Sequence, residues 1–348
     1  MMNCANFFGI VTWEQRKWKD ILLVNSGKDY KHLSRGSIPV YGTGGYMLSV
    51  DKELSNVDAI GIGRKGTIDH PQYLKAPFWT VDTLFFMTPK KDINIDFAFG
   101  LSQTINWKKY DESTGLPSLS KKSIDNISIK LPNYNEQIKI GRIISQIDNV
   151  LSLQQRKLKL IKVELSAILQ QLLSQKSTWP NYKLSQVVSI QDNKRVPVKR
   201  QDRISGPIPY YGANGVQDYV DGYTHKGDLI LIAEDGANSL TNYPIYFVNG
   251  KIWANNHTHV LRPNKEVNPL FLTVTLKQIN YSKYVVGGSR YKLNLEDLKS
   301  IKLNIPNRAQ QDKIGGIYNK FYQVQLKENH KLKLLHKIKH FLLQNMFI

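Results

Sequence analysis

The sequence has little that could cross-link it or carry it across a membrane. Its single cysteine, Cys4, excludes an internal disulfide and any multi-cysteine zinc site, and points to a reducing compartment. No apolar run is long enough to cross a bilayer, and stretches such as Leu229-Ile-Leu-Ile-Ala233 are the length of a buried strand. The start, Met1-Met-Asn-Cys-Ala-Asn6, lacks the basic opening and apolar core of a secretory signal, so a soluble cytoplasmic protein is expected. Acidic residues are also scarce: 28 Asp and Glu face 48 Lys and Arg, a formal net charge of +20. Such an excess calls for a polyanionic partner, of which nucleic acid is the commonest. Motifs of chemistry are missing too. There is no Walker A sequence and no Asp/Asn-Pro-Pro-Tyr/Phe segment. Gly61-Ile-Gly-Arg-Lys-Gly66 fits the letters of a dinucleotide fingerprint, but Thr67-Ile-Asp-His-Pro71 follows as a turn where that site needs a helix. His257 and His259 share one face of a strand without a third Cys or His beside them, which favours a core or surface role over a metal. No catalytic or metal-ligating set is expected.

What the sequence does contain is itself, twice. With 348 residues and 41% hydrophobic content it has room for two ordinary domains. Gly36-Ser-Ile-Pro-Val-Tyr-Gly-Thr-Gly-Gly45 returns as Gly206-Pro-Ile-Pro-Tyr-Tyr-Gly-Ala-Asn-Gly215, and Asp58-Ala-Ile-Gly-Ile-Gly-Arg-Lys-Gly66 as Asp228-Leu-Ile-Leu-Ile-Ala-Glu-Asp-Gly236. Trp79 then matches Trp253, Pro89 matches Pro263, and Leu131-Pro-Asn133 matches Ile305-Pro-Asn307; upstream, Trp13 and Lys17 match Trp179 and Lys183. Each copy opens with short β-like runs (Leu229 to Ala233, Ile245 to Val248, His257 to Leu261) punctuated by Gly, Pro and Asn. Each closes with a long helix. Asn133 with Glu136, and Asn307 with Gln310, form capping-box-like starts. Apolar residues then recur at heptad spacing: Ile140, Ile144, Ile147, Leu151, Leu158, Ile161, Leu165, Ile168 and Leu172, with Gln154 the polar exception. On the second helix Ile314, Tyr318, Phe321, Leu332, Leu335, Leu342 and Met346 form the stripe, interrupted by Glu328 and Lys339.

A seam only two positions wide per heptad must be covered by another helix. Two helices of about 40 residues reach about 60 Å, and an antiparallel pair would carry one domain at each end. The expected fold is therefore α+β: two pseudo-twofold-related, β-rich domains separated by two long antiparallel helices forming a coiled coil. The expected boundaries are 1–132 for the first domain, 133–176 for the central helix, 177–306 for the second domain and 307–348 for the last helix.

A basic molecule with two similar heads suits a bipartite duplex target. The heads keep a frame yet differ in polar residues. Arg64-Lys65 faces Glu234-Asp235, and Thr80-Val-Asp-Thr83 faces Ala254-Asn-Asn-His257, as expected of readers of two different half-sites. The candidate DNA contacts are Arg64, Lys65, Thr114, Ser118 and Lys121 in the first copy. In the second they are Asn214, Asn238, Asn255, Asn256, Ser289, Arg290 and Lys292. Arg and Lys suit phosphate, and carboxamides suit adenine edges, although each Asn is equally at home as a turn residue. Lysines such as Lys157 and Lys331 are either a solvated helix face or a phosphate track.

The order of a Trp-containing start, an Ile-Pro-x-Tyr-Gly motif, the Trp79/Trp253 strand, a Leu/Ile-Pro turn and a long helix resembles the specificity subunits of Type I restriction-modification systems, over essentially the whole chain. Leu131-Pro-Asn-Tyr-Asn-Glu-Gln137 is similar to that family's helix start; Ile305-Pro-Asn-Arg-Ala-Gln-Gln311 departs slightly. The resemblance implies a non-catalytic subunit whose two target recognition domains read an asymmetric interrupted DNA site. It implies helices that set the gap and dock two modification (methyltransferase) subunits, joined by restriction (translocase-nuclease) subunits. S-adenosylmethionine, ATP and Mg are then expected in the partners and no cofactor in this chain. For the coiled coil and docking, Ile140, Ile144, Ile147, Leu151, Leu158, Ile161, Leu165, Tyr318, Phe321, Leu332, Leu335 and Leu342 are the candidate residues. A specificity subunit of a Type IIB-like system, or a two-headed scaffold that never touches DNA, are the alternatives.

Overall fold

A computed structural model describes residues 13–174, 178–288 and 290–347. The chain divides into two compact units, one made of the residues up to Arg156 together with those from His330 on, the other spanning Lys157–Asn329. Among the described residues no helix is long and apolar enough to cross a membrane.

In the first unit two small sheets carry the globular part. One has four antiparallel strands in the order Leu22–Ser26, Leu84–Pro89, Ala59–Gly63, Gln72–Leu74. The other orders Gly45–Val50, Arg35–Gly42 and Trp79–Thr80, the last pair parallel. Its hairpin turns between Gly42 and Gly45, where Gly45 adopts φ +104°, a conformation that L side chains rarely take. Ala59–Gly63 is buried on both faces, which is why it reads as a continuous apolar run. Trp18, Trp107, Ile60, Ile62 and Met87 fill the core around it.

The second unit repeats this plan with one change: its strands merge into one six-stranded sheet. The reason is local. Ile245–Ala254 is one unbroken strand that pairs with His225–Ala233 on one side and with Ser205–Gly212 on the other. In the first unit the corresponding stretch contains Pro77, whose missing N–H cannot continue a ladder, and it splits into Gln72–Leu74 and Trp79–Thr80. The repeated anchors keep their register. Val40 pairs with Trp79 and Tyr41 with Thr80, as Tyr210 pairs with Trp253 and Tyr211 with Ala254. Each Trp indole N–H donates to a loop carbonyl, Trp79 to Lys28 at 2.9 Å and Trp253 to Val196 at 2.7 Å.

The long helices run over Tyr134–Leu172 and Arg308–Met346. Asn133 and Asn307 cap them, accepting from the Glu136 and Gln310 amides at 3.0 Å. The return bond expected of Glu136 is not made; its Oε2 is buried without a hydrogen-bond partner among the described residues. The next residue takes over. Gln137 Oε1 accepts from the Asn94 amide (3.1 Å) while its Nε2 donates to the Pro132 carbonyl (3.0 Å). Gln311 does the same with Asn268 (2.8 Å) and Pro306 (3.0 Å). Asn94 and Asn268 are themselves the caps of Ile95–Thr104 and Pro269–Lys277. One turn beyond each glutamine, Gly141 and Gly315 press on the same caps. A Cβ at Gly141 would stand 2.4 Å from Asn94 Oδ1, and one at Gly315 2.6 Å from Asn268 Oδ1. Three residues thus fasten domain to helix identically in both units.

Within each unit the helix segments run antiparallel. In the first, Ile140 and Ile144 share a core with Leu342, Leu343 and Met346, and Lys339 bonds Asp148. In the second, Leu165 and Leu169 share a core with Ile314, Tyr318 and Phe321, and Lys157 bonds Glu328 at 3.0 Å. The heptad residues named from the sequence lie on this seam: Ile140, Ile144, Leu151, Leu158, Leu165 and Tyr318 are buried, and Ile147, Ile161, Phe321, Leu332, Leu335 and Leu342 are partly buried. The polar interruptions Glu328 and Lys339 are met by opposite charges from the facing helix.

Candidate nucleic-acid interface

The strand Ala59–Gly63 runs out into Arg64 and Lys65, and His225–Ala233 runs out into Glu234 and Asp235. At both places the chain turns on a glycine of positive φ, Gly66 (+86°) and Gly236 (+91°). At both, the emerging backbone is caught by the segment before a short helix. The Leu119 amide donates to the Arg64 carbonyl at 2.9 Å, and the Leu293 amide to the Glu234 carbonyl at 2.7 Å. Lys65 bridges to Ser118, and Asp235 pairs with Lys292 in the ladder of Asp235–Ala237 and Tyr291–Leu293.

This brings together most of the residues singled out from the sequence. In the first unit Arg64, Lys65 and Ser118 meet, with exposed Thr114 and Lys121 on either side. Asp111 shapes that loop: its Oδ1 accepts from the Ser118 and Ser113 amides and the Ser113 hydroxyl, bonds that hold its carboxyl below the usual range. In the second unit Arg290 and Lys292 flank Asp235, with Arg290 Nε 3.9 Å from its carboxylate. Asn214 Nδ2 donates to the Gly236 carbonyl (2.8 Å) and its oxygen accepts from the Asn238 amide (3.3 Å), so the hairpin tip is tied to the same turn. Asn256 is exposed. Asn255 is not: it is 4% exposed and its oxygen caps the His257 amide at 2.9 Å, a turn role that leaves it no base edge to reach. Ser289 lies outside the described residues.

Beneath the two turns the chemistry diverges. In the first unit the Arg64 guanidinium lies 5.6 Å from the Phe85 ring centroid, and Phe85 pairs with Ser26. At the corresponding positions the second unit has Glu234, His259 and Asp192. His259 is 1% exposed, with Nδ1 2.6 Å from Asp192 Oδ2 and Nε2 2.9 Å from the Leu293 carbonyl. The three groups lie within 4.8 Å of one another, a spacing that suits a metal. Arg195 already supplies the cation. It bonds Glu234, lies 3.6 Å from Asp192, and donates to the Thr258 carbonyl at 3.0 Å. Burial alone would raise the Asp192 carboxyl. The His259 hydrogen bond and charge, the Val260 amide and Arg195 outweigh it and hold the carboxyl below its ordinary value. The sequence leaves His259 between a core and a surface role, and the structure puts it in the core; the network around it goes unseen in the sequence because its members come from three distant stretches. The one available signal was the charge reversal from Arg64 to Glu234, which requires a compensating cation inside the domain.

A duplicated α+β domain, each copy clamped to a long helix and presenting a variable polar turn, defines a class of modular recognition proteins. The family model described as Type I restriction modification DNA specificity domain matches residues 10–163 and again 176–338, and the chain belongs to that family. It is 47% identical over 134 residues to a chain of Haemophilus influenzae assigned as a type I restriction enzyme specificity subunit, and 24% identical over 113 residues to the Escherichia coli EcoprrI specificity subunit. These matches take in 38% and 32% of this chain, and the chain spans only 35% and 28% of those relatives. Its fold is similar to that of the Mycoplasma genitalium Type I restriction-modification S subunit, with a TM-score of 0.78 at 18% identity over 98% of this chain and 97% of that one.

Proposed function

We propose that this chain is the DNA-reading subunit of a Type I restriction-modification complex, and that its two domains read the two halves of an asymmetric, interrupted double-stranded DNA site. The observation that carries this reading is the pair of matching turns. One frame presents Arg64 and Lys65 in one unit and Glu234 and Asp235 in the other, as a duplicated reader of unlike half-sites requires. Arg64, Lys65, Thr114, Ser118 and Lys121 serve the first half-site. Asn214, Asn238, Asn256, Arg290 and Lys292 serve the second, with Arg290 and Lys292 on phosphate and the carboxamides on base edges.

The long helices set the spacing and dock two modification subunits, to which restriction subunits add. Because the seam is used between the helices, docking falls to apolar side chains that face outward. Leu153, Leu334 and Phe341 in the first unit and Leu160, Val163 and Leu326 in the second are 47–65% exposed. Catalysis, S-adenosylmethionine, ATP and Mg belong to the partners, and the complex works in the cytoplasm.

Methylome sequencing of a methylation-free host expressing this chain with its modification subunit tests the proposal, against a control lacking the chain. One bipartite motif, methylated in both halves and lost in the control, is the expected result. No motif from a soluble complex with a competent modification subunit would overturn it.

A further inference from the structure

One outward-facing position carries opposite charges in the two domains, and we propose that it sets a base preference in each half-site. Asp235 accepts from an exocyclic amine, of cytosine or adenine, where Lys65 donates to base acceptors in the other half. The proposal rests on the chain being a DNA-specificity subunit.

The two positions are equivalent by backbone, not only by sequence. Lys65 lies opposite Ser118 and Asp235 opposite Lys292, each directly before the glycine that turns the chain. The preceding residues lean on their own domain, Arg64 over the Phe85 ring while itself exposed and Glu234 on Arg195, and the side chains of Lys65 and Asp235 are open to solvent. At Gly236 a Cβ would stand 3.0 Å from Arg290 Nε, so the absence of a side chain lets the guanidinium lie against the turn beside Asp235.

Asp235 is 40% exposed in its side chain, with His257 Nδ1 at 3.6 Å and Arg290 Nε at 3.9 Å. Both distances exceed a hydrogen bond. Among the described residues no donor bonds its carboxylate, so the oxygens lie beside the Arg290 guanidinium and the His257 ring yet remain free to accept. A carboxylate in this place repels phosphate, and on a chain of formal charge +20 it subtracts from nonspecific affinity. What it gains is discrimination. Cytosine N4 and adenine N6 are the amine donors on the major-groove edge, while guanine O6 and N7 and thymine O4 offer only acceptors to it. Lys65 makes the complementary choice.

The test compares the methylated motifs produced by the full chain with its modification subunit, as wild type and as Asp235→Ala, Asp235→Asn and Lys65→Ala. Asp235→Ala is expected to leave one half-site intact and make a single amine-bearing position of the other degenerate, its preference falling on the order of tenfold or more. The base found there distinguishes cytosine from adenine. Asp235→Asn keeps the size and one acceptor, so it guards against misfolding and relaxes the same position less. Lys65→Ala relaxes the opposite half. Unchanged motifs in both Asp235 variants refute the proposal while leaving the specificity reading intact. So does relaxation in the half that Lys65 controls, or a uniform drop in methylation with preferences preserved. A wild-type chain that yields no bipartite motif overturns both.

Discussion

Replacing Gln137 by Ala isolates the joint between the first domain and its helix. The side chain is 2% exposed and makes two bonds, one received from the Asn94 amide and one given to the Pro132 carbonyl. Truncation orphans both backbone groups in a buried place. Each orphan costs about 1–3 kcal/mol, so the variant is expected to lose roughly 3 kcal/mol. For a unit of this size that lowers the thermal midpoint by roughly 6–12 °C. The loss has an address: amide exchange at Asn94 and Phe97, the capped start of Ile95–Thr104, accelerates on the order of 100-fold, while the second unit keeps its protection. Gln137→Glu should do no better, since a carboxylate accepts from Asn94 but faces the Pro132 carbonyl with no proton to give. Gln311→Ala should reproduce the effect in the second unit, and because the two glutamines share no partner the double variant should be additive. A loss below about 1 kcal/mol, or exchange that rises evenly over both units, would refute the reasoning, because the bonds would then not be holding the joint.

Other perturbations separate the remaining elements. Arg195→Ala strips the cation from a buried network and is expected to cost the second unit about 3–5 kcal/mol in denaturant unfolding. Arg64→Ala, at the exposed place that matches Glu234, should cost under about 1 kcal/mol while weakening DNA binding and lowering its salt dependence. Since the folded Asp192 carboxyl titrates below its unfolded value of about 3.9, it stabilises the second unit above about pH 4, and that contribution is lost as pH falls through the depressed folded value. Asp192→Asn should therefore flatten the acid limb of the second unit's stability profile, and an unaltered limb counts against the network. On the seam, replacing Lys339 and Asp148 together by Leu should be neutral or stabilising, whereas Asp148→Ala alone leaves a lysine only 16% exposed without its carboxylate and should destabilise the first unit by about 1–3 kcal/mol in thermal unfolding.

Much of this architecture was legible because it is encoded by spacing. The repeated Ile-Pro-x-Tyr-Gly hairpins, the tryptophans beside them and the heptads of the long helices all announce themselves through period or turn chemistry. The helix start was half legible. Asn133 caps as its position suggests, but the working side chain is Gln137, not Glu136, because the domain lies against that face of the helix and only packing reveals it. Gly141 and Gly315 carried a signal in their matched offset from Gln137 and Gln311, yet nothing in the residues says that each faces a capping asparagine. The Arg195 network was illegible for a stronger reason: Asp192, Glu234 and His259 are joined by sheet pairing between strands far apart in the chain. Among the carboxamides, Asn255 looked like Asn256 in sequence, and one residue of register put it inside.

The identical clamp at both joints has an evolutionary reach. Asn94, Gln137 and Gly141 in one place and Asn268, Gln311 and Gly315 in the other make the same plug and socket. A domain exchanged by recombination therefore meets a helix already shaped to receive it, and the exchange leaves the helix seam untouched. If each domain reads its own half-site as proposed, such a lineage multiplies its specificities: a handful of cassettes for each position gives as many targets as there are pairings. Novelty then arises by shuffling, without a fresh surface evolving for any partner.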